Sequence, residues 1–209
     1  KQPQSSLAQL KFVENAYDNK KYPEAFTEAK KVLKMGSNAS KYAKAKARII
    51  QAHILKKEFE DQSLKTSIDR LAVVLGLKTS RMEKAQRAYQ AAIKYGDPYV
   101  SVEALRNMAA MYKQYVTDLQ TMPTPRGLNE KEALEFKGQL EQISFPLEEK
   151  SIETYVQALS TAKSLQLRDG SIEEIQSVID EINMVKEPNF EVEILAAKPL
   201  LPVEKEKPL

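Results

Sequence analysis

One spacing occurs three times in this chain and limits what it can fold into. Ala25, Ala29, Val32 and Leu33 are the first instance, Ala85, Tyr89, Ala92 and Ile93 the second, and Ser151, Tyr155, Ala158 and Leu159 the third. In an α-helix, residues three and four apart share a face, so each instance is one stripe. The small first residue lets a neighbouring helix approach closely. The residue one turn on fills the space beside it, and the last pair packs on the next hairpin. Such a stripe needs partner helices, and three of them in one chain imply stacked helix pairs.

The rest of the sequence agrees. Helical periodicity runs through residues 6–185. Gly is scarce, at 6 residues, while the strong helix formers are plentiful. Leu7, Leu10, Val13 and Tyr17 predict a first helix, and residues 19–22 a turn. Pro23 suits the first turn of a second helix, where its missing N–H costs nothing. Gly36, Ser37 and Asn38 end it. Further helices are expected over residues 41–56, 61–77, 81–95 and 100–119. Gly96, Asp97 and Pro98 are a stop signal, and Pro123, Pro125 and Gly127 place a loop at 121–129. A helix resumes near Glu130, and Pro146 either kinks it or opens a fresh one. Ser171 and Glu174 read as a capping box opening a last helix to about residue 185. After Pro188 the pattern changes: Phe190, Val192 and Ile194 alternate with acids, then Pro199, Pro202 and Pro208 punctuate a Lys/Glu-rich tail. The chain therefore divides into a helical domain, 1–187, and an extended tail, 188–209. By composition alone that tail is a disordered segment.

Several classes of chemistry have nothing to build on. The chain has no Cys and a single histidine, His53, so disulfides, thiolate metal sites and multi-histidine sites are excluded. No apolar run approaches the ~18 residues of a membrane span. No phosphate-cradling glycine loop, nucleophile elbow or calcium loop is present. Glu148 and Glu149 point about 100° apart on a helix and do not flank one substrate; near a helix start they complement its dipole. No catalytic residue, cofactor or metal is therefore assigned. Charge is uneven. Residues 1–60 hold 13 Lys/Arg against 6 Asp/Glu, a net of +7, which leaves 19 against 23, a net of −4, in the remainder. A basic half suits an acidic partner or a phosphate backbone; a solvated lysine-rich face is the plainer reading.

The threefold spacing resembles the second helix of the tetratricopeptide repeat (TPR). Tyr22 matches the aromatic expected three residues before Ala25, and Asp97-Pro98 falls where the family's closing proline would lie. Lys57-x-Phe59 resembles an inter-helix turn. The instances are separated by 60 and 66 residues, which are not multiples of the family's roughly 34-residue period, so at least one hairpin is lengthened. The first-helix Trp-Leu-Gly signature is not intact. Residues 60–170 further resemble envelope-associated TPR proteins of deltaproteobacteria, which include gliding-motility components. The resemblance rests on residues 82–86, the Gly96-Asp97-Pro98 stop, the Pro125-x-Gly127-Leu128-Asn129-Glu130 loop and, most specifically, residues 146–159.

The resemblance implies an all-α fold, a superhelical stack of antiparallel hairpins with an extended tail. It implies a non-catalytic scaffold binding a peptide or partner protein in a concave groove, in a periplasmic or outer-membrane-associated assembly; a cytoplasmic setting stays open. First helices line such a groove. That places Leu10, Glu14, Tyr17 and Asp18 there from the first pair, and Lys44, Ala47, Arg48, Gln51 and Leu55 from the second. Lys44 and Arg48, one turn apart, can clamp a carboxylate; ordinary solvent-facing bases are the plainer reading. Asn15 lies one position from the family's clamp asparagine, so that clamp is not carried over. His53 falls where the family has a packed aromatic. The alternating Phe190, Val192 and Ile194 suit docking in a groove of this chain or of a neighbouring copy. The alternative reading is a helical-repeat nucleic-acid binder using the basic N-terminal half.

Overall fold

The computed structural model describes residues 4–125, 127–168 and 170–185. Its elements are helices: α1 (Gln4–Asp18), α2 (Tyr22–Lys34), α3 (Lys41–Glu60), α4 (Ile68–Ile93), α5 (Pro98–Gln120), α6 (Glu130–Ser164) and α7 (Ser171–Val185), with a short 3-10 turn at Gly36–Asn38. The tail residues Phe190, Val192 and Ile194 lie outside the described residues.

Side-chain caps start three of these helices. The Ser40 side chain accepts from the Ala43 N–H at 3.0 Å and opens α3. Asp97 accepts from the Val100 N–H at 3.0 Å, and Pro98 follows at the first helical position. The expected stop signal is thus equally a start signal, with Gly96 at φ +75° closing α4 in the left-handed region. At α6 a full capping box joins Asn129 and Glu132.

One expected break is absent. The helices expected over 61–77 and 81–95 are one helix, α4, which starts later, at Ile68. Its polar middle looks like a turn in sequence but faces inward. Lys78 is 1% exposed, pairs with Asp118 at 2.7 Å, donates to the Gln62 carbonyl and sits 4.3 Å above the Phe59 ring. Thr79 bonds the Tyr115 hydroxyl at 2.9 Å. These tertiary partners override weak local propensity. Of the two readings at Pro146, no fresh helix opens: α6 runs through the proline, which sits on an exposed face, where water can satisfy the carbonyl that lost its donor. α7 opens at Ser171, and one oxygen of the Glu174 carboxylate reaches Arg106 on α5.

Neighbours in sequence pack on one another, α1 on α2, α3 on α4 and α5 on α6, and α2 packs on α3, α4 on α5 and α6 on α7. The odd-numbered helices α1 and α3, and α3 and α5, also touch, which puts them on one side. The repeated spacing falls on α2, α4 and α6. Eleven of its twelve residues are buried, Leu33 being half-buried. Close approach is direct at Ser151, whose hydroxyl donates to the Ala109 carbonyl of α5 at 3.0 Å. The separations exceed the family period because α4 has 26 residues and α6 has 35.

The apolar interior forms two clusters that meet at α3. Ala43, Ala47, Ile50 and Ile54 pack with α1 and α2. Ala45, Ile49, Ala52 and Phe59 pack with α4 and the helices beyond.

Candidate functional site: the groove across α1, α3 and α5

The odd-numbered helices leave a groove of about 660 Å³ between them. From α1 it takes Glu14, Tyr17 and Asp18; from α3 Lys46, Ile49, Ile50, His53, Lys56, Lys57 and Glu60; from α5 Glu103, Arg106 and Asn107. Its floor is aromatic. The Tyr17 ring centroid lies 5.8 Å from Tyr22 and 6.2 Å from the His53 ring, which meets Tyr89 edge-on at 5.6 Å.

A polar chain crosses this floor. His53 Nδ1 is 2.9 Å from the Tyr89 hydroxyl, and Nε2 is 2.9 Å from Glu103 Oε1. The other oxygen of Glu103 meets Lys46 Nζ at 3.3 Å. Burial pushes the Tyr89 hydroxyl well above its ordinary range, so it stays protonated beside His53 Nδ1, while His53 Nε2 faces the Glu103 carboxylate. Burial also opposes ionisation of Glu103, yet the hydrogen bond from His53 and the charge of Lys46 outweigh it and hold the carboxyl below its ordinary value. Tyr17 is raised, chiefly by burial and then by Tyr22 and Glu103.

The groove's bases are all engaged with protein carboxylates: Lys46 with Glu103, Lys56 with Glu60 at 2.8 Å, Lys57 with Asp61 at 3.2 Å, and Arg106 with Glu174. Glu14 and Asp18, one turn apart on α1, form no ion pair among the described residues. Compared with protein-family models, curated proteins and solved structures, the chain matches none.

Of the expected groove residues, Glu14, Tyr17 and Asp18 line it, and Lys44, Arg48, Gln51 and Leu55 do not. The α3 stripe that lines it is displaced by two positions, about 200° around the helix. Lys44 lies 5.6 Å over the Tyr95 ring. Arg48 donates to Gln51, whose amide donates to the Phe26 carbonyl of α2 at 3.1 Å. Leu55 packs against the larger core. Leu10 and Ala47 are buried in the smaller one. The carboxylate clamp of Lys44 and Arg48 is therefore not available to the groove. Because α3 is apolar on two sides, either polar stripe between them fits the sequence. His53 combines the expected ring packing with two hydrogen bonds, and Glu103, its partner fifty residues on, carries no local signal. No helix among the described residues is long and apolar enough to cross a membrane.

Proposed function

We propose that this chain is a non-catalytic binding scaffold, a divergent TPR-like stack, whose α1–α3–α5 groove takes a positively charged segment of another polypeptide. The observation that carries this reading is the charge arrangement. Every base lining the groove is already paired within the protein, whereas Glu14 and Asp18 are left to a ligand. A Lys or Arg entering between them also meets the Tyr17 ring, whose face attracts a cation. The aromatic floor supplies apolar contact, and the polar chain through His53 and Glu103 keeps that floor in place. The threefold spacing on α2, α4 and α6 supports the TPR-like reading. The likeness in residues 146–159 supports a bacterial envelope assembly as its setting. A nucleic-acid ligand is the weaker reading, since it needs free bases and those of the groove are paired.

Selection from a displayed peptide library on the full chain, followed by calorimetric titration of the enriched peptides, tests this. Lys/Arg-containing peptides are expected, with affinity falling at least tenfold in Asp18→Lys and in Tyr17→Ala. Enrichment of acidic peptides, or affinities indifferent to both substitutions, rejects the groove as the site.

A further inference from the structure

One stripe of α6 is covered at one end and bare at the other. At 100° per residue, Leu134, Gly138, Phe145, Ile152, Val156 and Leu159 fall within about 40° of a single line. Leu159 is buried and Val156 packs on the core that also holds Ile175, Ile179 and Ile182 of α7. Ile152 and Ile182 share a depression of about 270 Å³ with Glu148. Towards the helix start the cover ends. Phe145 is 60% exposed and Leu134 73% exposed, and a Cβ placed on Gly138 meets nothing within 4 Å. Glu141 is a charge within the bare half.

α7 travels down this stripe. Its Glu174 and Glu181 pair with Arg106 and Lys113 of α5, so it runs parallel to α5 and antiparallel to α6. Ile182 lies beside Glu148 and Ile152, and the three further residues to Val185 bring the chain level with Phe145.

We propose that residues 190–194 of the same chain continue the path of α7 and cover the bare half of the stripe, with Phe190 beside Phe145 and Ile194 beside Leu134. The site is the outer face of α6, not the α1–α3–α5 groove, and it is independent of what that groove binds. Three things select this occupant. The chain leaves α7 at the edge of the bare half. Its next apolar residues, Phe190, Val192 and Ile194, alternate with Glu191 and Glu193, so an extended backbone turns one apolar edge to the helix and one acidic edge away. The lengths match: Leu134 to Phe145 spans roughly 16 Å of helix, and Phe190 to Ile194 spans roughly 13 Å extended.

The chain has no cysteine of its own, so an introduced pair reports alone. In Gly138→Cys/Val192→Cys all four proposed contact residues remain, and the new side chain at 138 has open space. The control is Val73→Cys/Val192→Cys, since Val73 is 64% exposed on α4. Under mild oxidation the first pair is expected to close within one chain at least tenfold faster than the control, read by intact mass and non-reducing electrophoresis, with unchanged helical circular dichroism. Equal rates for the two pairs overturn the proposal. So does a product that is mainly cross-linked dimer, which would put the segment on a second copy.

Discussion

Both oxygens of Glu103 are engaged, one with His53 and one with Lys46, and this binds α5 to α3 at the floor of the groove. A carboxyl held below its ordinary pKa stabilises the fold at pH values above the unfolded-state pKa, and that contribution is lost as pH falls through the lower, folded value. Unfolding free energy should therefore drop as the solution is acidified below the ordinary carboxylate range. Glu103→Gln, which keeps the shape and removes the titration, should flatten that acid limb while being less stable at pH 7. Urea denaturation from pH 3 to 7 checks it, and parallel acid limbs in the two proteins would contradict it. A ring packed near position 53 was legible in the sequence. The identity of its partner was not, because residues 53 and 103 are joined only by the stacking of α3 and α5.

Helix ends announced themselves wherever the signal was chemical and local. Pro23, Asp97-Pro98 and Gly36 stand at or beside real boundaries. The misread interior is that of α4: Lys78 and Thr79 look like a break unless their distant partners Asp118 and Tyr115 are known. α3 failed differently. Buried on two opposite sides, it has no single apolar face, so its polar stripes are interchangeable on paper, and the one chosen held Lys44 and Arg48 rather than Lys46 and His53. For α6 there is an expected outcome. Pro146 deprives the helix of one hydrogen bond, and a helix that already runs through it should gain from regular geometry. Pro146→Ala should raise stability by about 1–3 kcal/mol, read as a higher urea midpoint with an unchanged slope. A loss of stability would mean that the proline is needed to fit α6 to α5.

At the scale of the whole molecule, the threefold spacing was the most informative feature, because it marked α2, α4 and α6 and hence the pairing of helices. It says nothing about which polar residues of α3 turn toward the groove. The two apolar clusters invite a division into a small N-terminal unit and a larger remainder. α3 argues against it: Ala43, Ala47, Ile50 and Ile54 on one side and Ala45, Ile49, Ala52 and Phe59 on the other mean that neither cluster is complete without the same twenty-residue helix. Loss of α3 from one exposes the other. Scanning calorimetry should thus give a single endotherm whose calorimetric and van't Hoff enthalpies agree. Amides of α3 should exchange with deuterium only through global opening, and slower than those of α1 or α7. The party wall between the two cores makes them one cooperative unit, so damage at the α1 end is felt at α5, and a ligand gripping α1, α3 and α5 together would resist the melting of both halves.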